Sequence, residues 1–429
     1  MRLELQNVKI DDIVFGNETR VEGSQLILDK ESIINQLKEV EGVKDIDIDI
    51  ALPGEKKRII PVKDVIEPRV KVSGGEGGFP GALDEIEQAG SGEVKVLDGV
   101  AIVTIGDIVG FQEGIIDMWG EGAKWTPFSQ TCNIVVDITP EDDLQPHEHE
   151  AAVRRLGLTA SNLIGEAARD AEYQETEVYE MGYPDEESEK YPDLPKVVYV
   201  EMLISQGLLH DGYIYGTNSG QILPTYLHAN EELDQAVISG NCVAACDKIT
   251  TYQHQNNAVV KELYKLHGKE INFVGIVLAP ELTTMDGKLI NTDYTAKLCK
   301  QLGADGAIIS EEGYGNPDSD LVMICEALET DGIKTVLITD ECSGWDGTSQ
   351  PLTDAKEEAV AVISTGNVSH LVELDAADEV LGDPHALANI AGGWEGAYDE
   401  ETGKMQCELN AVIGSTSEIG THNATVKLY

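Results

Sequence analysis

Arginine is scarce in this chain of 429 residues: there are seven, and none lies beyond Arg169. Lysine does not make up the difference, since 30 basic residues face 78 acidic ones and the formal net charge is −48 at pH 7. A coat of that sign repels a phosphodiester backbone and an anionic bilayer, which excludes nucleic acid and membrane as partners. Such a coat is common in proteins that work in high internal salt. No run approaches the roughly 18 apolar residues that a bilayer-spanning helix needs. The opening Met1-Arg2-Leu3-Glu4-Leu5-Gln6-Asn7 lacks the basic start and apolar stretch of a secretion signal. Cysteine is sparse, seven in all and without regular spacing, so a disulfide framework is excluded and a reducing, cytoplasmic setting is expected. No glycine-rich dinucleotide fingerprint follows a predicted strand, and the glycine-rich loop 73–81 has no Lys-Ser/Thr pair behind it. No nucleotide cofactor is expected.

What is present suggests two domains or one compound domain, because the chain is too long for a single simple core. Residues 1–170 read as β-rich. Apolar and polar residues alternate over 1–15, with Leu3, Leu5, Val8, Ile10 and Ile13 as the apolar set. Further strands are predicted at 45–52, 57–62, 94–105 and 134–138, a short helix at 31–39 and a long one at 146–169. Residues 171–193 read as an acidic connector, with prolines at 184 and 192 and a single lysine among the acids. Residues 194–429 alternate strands (196–204, 271–278, 306–310, 334–339) with helices (293–302, 318–330, 355–362). The fold class expected is therefore α/β, α+β overall: a β-rich N-terminal part followed by a parallel-sheet α/β C-terminal domain. Active groups in such sheets gather beyond the carboxyl ends of the strands, which here carry Ala279-Pro280-Glu281, Ser310-Glu311-Glu312-Gly313 and Thr339-Asp340-Glu341.

Three motifs carry potential chemistry. His147-Glu148-His149-Glu150 lacks the i, i+4 histidine spacing that puts two ligands on one helix face, and carboxylates at a helix start complement the dipole; no metal is expected. Glu311 and Glu312 sit where a strand gives way to a helix. They are candidates for contacting a substrate amine or exchanging protons, against a plain helix start with Asn316 or Asp318 as cap and Pro317 as its first residue. The third motif runs Asn241-Cys242-Val243-Ala244-Ala245-Cys246-Asp247-Lys248-Ile249-Thr250-Thr251-Tyr252-Gln253-His254-Gln255-Asn256-Asn257, just after Ser239-Gly240. A glycine before Asn-Cys permits a tight turn in which the thiol folds back on the preceding carbonyl. The alternative from the residues alone is two buried thiols on one helix face, because the spacing is Cys-x3-Cys.

The stretch 241–257 resembles the processing site of the proprotein subunit in component B of the glycine, sarcosine and betaine reductases. The resemblance covers essentially the whole chain, including Arg58-Ile59-Ile60-Pro61-Val62-Lys63-Asp64-Val65-Ile66-Glu67-Pro68-Arg69-Val70-Lys71-Val72 and Gly110-Phe111-Gln112-Glu113-Gly114-Ile115-Ile116-Asp117-Met118. It implies a chain that cuts itself between Asn241 and Cys242, the thiolate of Cys242 attacking the Asn241 carbonyl and the Cys242 position ending as a pyruvoyl group. That ketone would condense with the amine of glycine or sarcosine; betaine, with a quaternary nitrogen, cannot react in this way. A selenocysteine-containing component B subunit would then displace the amine, and a small selenoprotein carrier component would take the product toward acetyl phosphate. An uncleaved scaffold that only positions a selenoprotein partner is the alternative. Arginine is the usual bidentate partner of a substrate carboxylate, so Arg69 is the leading arginine candidate, beside the helix starts near Pro280 and Gly313.

Overall fold

The computed structural model describes residues 1–75, 77–83, 85–110, 113–205, 212–240 and 249–420. The alternating N-terminal segment forms the strand Arg2–Lys9, with Leu3, Leu5 and Val8 buried. It lies inside a four-stranded sheet ordered Glu175–Glu180, Arg2–Lys9, Gly92–Asp98, Arg69–Lys71. A second sheet is ordered Gly114–Asp117, Lys57–Ile66, Val100–Gly106, Cys132–Pro140, Val43–Ala51. Its central strands are apolar on both sides, and the period of two divides their side chains. Ile66, Ile102 and Ile134 pack with Val153, Leu156 and Ile164 of the helix Pro146–Gly165, while Val65, Val103 and Val135 face Met118 and Phe128.

The third large sheet is ordered Thr225–Leu227, Asn272–Glu281, Lys196–Ile204, Gly306–Ser310, Lys334–Glu341, Val362–Asn367. Every pairing is parallel except that of Thr225–Leu227. Asn272–Glu281 is buried throughout, as strands covered on both faces must be. The helices Met285–Gln301 and Asn316–Thr330 cover one face through Ala296, Cys299, Leu321, Ile324 and Leu328. Ala258–Leu266 covers the other through Val259, Val260 and Leu263. The expected mixed α/β class is observed. No helix among the described residues is long and apolar enough to cross a membrane.

Three elements differ from expectation. The acidic stretch 171–193 is not a plain connector: Glu175–Glu180 pairs antiparallel with Arg2–Lys9, and Pro184–Lys190 is a short helix. An edge strand needs only one buried face, here anchored by Tyr179, so its acids can point to water without weakening the pairing. The helix expected at 355–362 is absent. The chain turns instead, Ala359 N donating to Lys356 O at 3.2 Å; Leu337 N then donates to Ala361 O at 2.9 Å, and Val362–Asn367 extends the sheet. Finally, Glu379–Gly382, from the part read as C-terminal domain, pairs parallel with Lys57–Ile66. The two halves of the chain therefore share sheets, which periodicity along the sequence does not report.

Candidate active site

The carboxyl ends of the parallel strands converge on a buried, carboxylate-rich region. Glu201 interrupts the apolar strand Lys196–Ile204 and is 1% exposed. Glu232 comes from the short helix Ala229–Leu233, and His254 from Thr251–Gln255; both are buried. His254 Nδ1 lies 3.2 Å from Glu201 Oε1 and 3.9 Å from Glu232 Oε1. Asn257 Nδ2 donates to Glu232 Oε1 at 2.7 Å and to Glu201 Oε1 at 3.5 Å, and its Oδ1 caps the helix Ala258–Leu266. Burial pushes the His254 imidazole down, but hydrogen bonds to Glu201 and Glu232 and the charges of Glu201 and Glu312 outweigh it and lift it to about 10. Burial, then the charge of Glu201, raises the Glu232 carboxyl.

Both predicted strand-end carboxylates join this region. Glu312 Oε2 accepts from Ile204 N at 2.7 Å, and Glu312 N donates to Glu281 Oε1 at 3.0 Å. Glu311 Oε2 accepts from Thr339 Oγ1 at 2.6 Å. Burial, reinforced by Asp318, lifts the Glu311 carboxyl well above the ordinary range, against the hydrogen bond from Thr339. The following helix begins at Asn316 with Pro317 in its first turn, and the cap is Gly315 at φ 86°, a conformation glycine adopts without strain. The side chain of Asp318 closes the turn by accepting from Gly315 N at 3.0 Å.

Asn241, Cys242 and Cys246 lie outside the described residues, but both flanks are fixed. On the upstream side Val237–Ile238 pairs with Tyr213–Ile214, and Arg154 Nη1 donates to Gly240 O at 3.3 Å. On the downstream side Thr250 caps the helix Thr251–Gln255, donating its N–H to Gln253 Oε1 at 2.9 Å. The flanks meet: Ser239 N donates to Thr251 Oγ1 at 3.0 Å, while Thr251 N and Oγ1 donate to Asp64 at 2.9 and 2.7 Å. Burial raises the Asp64 carboxyl to about 6 against those hydrogen bonds.

Two sequence candidates are placed elsewhere. Arg69 is buried, with Nε donating to Glu67 at 2.7 Å, Nη1 to Leu233 O at 2.7 Å and Nη2 to Gln255 O at 3.1 Å. These bonds tie Arg69 between the segments that carry Leu233 and Gln255. The His147–Glu150 cluster disperses: His147 and Glu148 are exposed, Glu150 is buried beside Arg154 at 4.0 Å, and burial with nearby Lys63 lowers His149 to about 4. Glu148 accepts from Gln145 N at 2.9 Å, the capping role that its position at a helix start suggests. Sequence reasoning missed Glu201, Glu232, His254 and Asp64. The one local signal was a carboxylate inside an otherwise apolar strand, Lys196–Ile204.

The family described as glycine/sarcosine/betaine reductase component B subunits matches residues 1–427. The chain is 50% identical, end to end in both sequences, to "Glycine reductase complex component B subunits alpha and beta" of Peptoclostridium acidaminophilum. It is 46% identical, again end to end, to "Sarcosine reductase complex component B subunit alpha" of the same organism. A more distant relative, "D-proline reductase proprotein PrdA" of Acetoanaerobium sticklandii, is 23% identical over 78% of this chain and 54% of its own length. No solved structure matches this chain.

Proposed function

The chain belongs to the family of glycine/sarcosine/betaine reductase component B subunits, and from that premise we propose that it is a proprotein that cuts itself between Asn241 and Cys242. The observation that carries the proposal is the pin between Ser239 and Thr251. It closes both ends of the segment at one buried point, held on Asp64 and next to the helix that bears His254. Only Gly240 and Asn241 separate Ser239 from Cys242, three chain steps that reach at most roughly 11 Å. A short tether to a buried, hydrogen-bonded anchor favours the intramolecular attack that the proposal requires.

Attack of the Cys242 thiolate on the Asn241 carbonyl forms a C–S bond and breaks the C–N bond, and the amine leaves with the proton of the thiol. Elimination then takes the Cα proton and breaks Cβ–S, so the sulfur departs with the acyl group of Asn241. One water hydrolyses the Asn241 thiocarboxylate to a carboxylate and releases hydrogen sulfide. A second hydrolyses the dehydroalanine left at 242, as its imine, to the pyruvoyl ketone and releases ammonia. The position needs a β-heteroatom that is both nucleophile and leaving group, which cysteine supplies. The naming of the 50% identical relative for two subunits, and of the distant one as a proprotein, supports this reading.

The resulting pyruvoyl group supplies a ketone electrophile for the amine of glycine or sarcosine. Around it this chain's residues divide the remaining work. Glu312 and Glu311 exchange protons at the substrate nitrogen, and N–H groups opening Asn316–Thr330 donate to the substrate carboxylate in place of Arg69. The nucleophile that displaces the amine comes from a selenocysteine-containing component B subunit, and a small selenoprotein component carries the product, in the cytoplasm.

Intact-mass measurement tests the cut. The wild-type chain is expected as two pieces, residues 1–241 and 242–429, the second shortened by loss of the Cys242 amine and sulfur. Cys242→Ala should remain one piece, and Cys246→Ala should still be cut between 241 and 242. A two-piece Cys242→Ala protein, or a new terminus after Ala245, defeats the assignment.

A further inference from the structure

Glu201, Glu232 and His254 come from three elements separated by up to 53 positions, yet one donor atom of each lies within 4.8 Å of the others. All three side chains are at least 99% buried. Beyond the contacts already described, Glu201 Oε2, Glu232 Oε2 and His254 Nε2 have no hydrogen-bond partner among the described residues. Two carboxylates desolvated at such proximity repel each other strongly, and removing them from water costs several kcal/mol per ion unless a compensating cation is close. A protonated imidazole compensates one of them. Glu312 adds further negative charge in the surroundings of His254.

From this geometry we propose that Glu201, Glu232 and His254 form a binding site for a divalent first-row transition ion. The separations suit a shared ion: ligands at about 2.0–2.2 Å from a metal lie about 3–3.6 Å apart around a tetrahedron, close to the 3.2 and 3.9 Å from Nδ1 to the two carboxylates. One imidazole nitrogen with two carboxylates is a donor set that takes Zn²⁺, Fe²⁺ or Mn²⁺, whereas Ca²⁺ and Mg²⁺ favour oxygen alone. Asn257 supplies the outer support. Its amide orients both carboxylates while its carbonyl is fixed on the helix start, as second-sphere groups around metal ligands do. Three protein ligands leave at least one coordination position for water or an anionic ligand. The ion would take the place of the imidazole proton. The site does not require the chain to be cut, so its failure would leave the processing proposal standing.

The test uses the full chain purified without chelator, then equilibrated in turn with Zn²⁺, Mn²⁺ and, without oxygen, Fe²⁺. Elemental analysis after removal of free ion is expected to find about one equivalent of one of these per chain, with the melting temperature raised over chelator-treated protein. Glu232→Gln and His254→Gln should each lower the retained ion at least tenfold and lose the melting shift. Co²⁺ offered to the wild type provides a readout that needs no variant: visible absorption bands of an ion with nitrogen and oxygen ligands should appear and vanish on adding Zn²⁺. Failure of the folded wild type to retain any of these ions, the space then holding a proton alone, overturns the site. So does unchanged ion content in well-folded variants, which would put the ion elsewhere.

Discussion

Asp64 is a carboxylate placed where ionisation is costly, and that cost has a measurable sign. Its folded pKa of about 6 lies above the ordinary 3.8, so the folded chain holds the proton more tightly than the unfolded one. Stability from this group is therefore greatest at low pH, falls as pH rises from 3.8 to about 6, and is level beyond. Asp64→Asn should abolish that slope. Between about pH 3.5 and about pH 6.5, urea unfolding of wild type relative to variant should shift by on the order of 3 kcal/mol against the wild type, and parallel curves would refute the assignment. Asp64 was legible only as part of a long resemblance, because nothing in the run Pro61-Val62-Lys63-Asp64 says which way a side chain on a buried strand faces. His254 was equally silent: its partners are 53 and 22 positions away in sequence and meet only through sheet order. Glu311 and Glu312 were legible because they end a strand, and strand ends are where parallel sheets collect polar groups.

At the scale of elements, the paired helices Met285–Gln301 and Asn316–Thr330 are joined by a buried ion pair, Lys288 with Asp320, and Lys288 Nζ also donates to Asn316 O at 3.0 Å. Burial raises Asp320 to about 6 although Lys288 pulls the other way, so the pair sits in an expensive environment and each charge depends on the other. Lys288→Met should destabilise the fold by about 3–5 kcal/mol because it strands a buried carboxylate, and Lys288→Met with Asp320→Leu should recover most of that. Denaturant midpoints of the two variants check it; a single variant costing under about 1 kcal/mol would mean that the carboxylate finds another partner. Asn316–Thr330 and the strands beside it were readable from periodicity, since each buries an apolar stripe or run. Met285–Gln301 was read only from 293, because its first half buries Lys288 and Asn291 and leaves Leu289 and Ile290 exposed. The strand Glu175–Glu180 was not readable. Its composition obeys the solvent side of the sheet edge, and its pairing with Arg2–Lys9 spans more than 160 residues.

At the scale of the whole molecule, a cut between 241 and 242 would divide the chain where the fold does not divide. Lys196–Ile204 belongs to the first piece, yet it lies between Asn272–Glu281 and Gly306–Ser310 of the second. Glu379–Gly382 of the second piece pairs with Lys57–Ile66 of the first. Glu67 and Gln255 exchange two hydrogen bonds across the same division, at 2.9 and 3.1 Å, and Arg58 Nη2 reaches Asp375 O at 2.9 Å. Removing the first piece would expose two unpaired strand edges in the middle of a parallel sheet, along with the apolar side chains that Val198 and Val200 cover. The cut protein should therefore behave as one particle. Under native conditions both pieces are expected to co-elute on size exclusion at the size of the uncut Cys242→Ala chain, and to separate only in denaturant. Residues 242–429 expressed alone should be insoluble or unfolded, and co-expression with residues 1–241 should restore a soluble complex. A well-folded, monomeric 242–429 fragment would show instead that the sheet can close without its central strand, and that the division seen along the sequence is also a division in space.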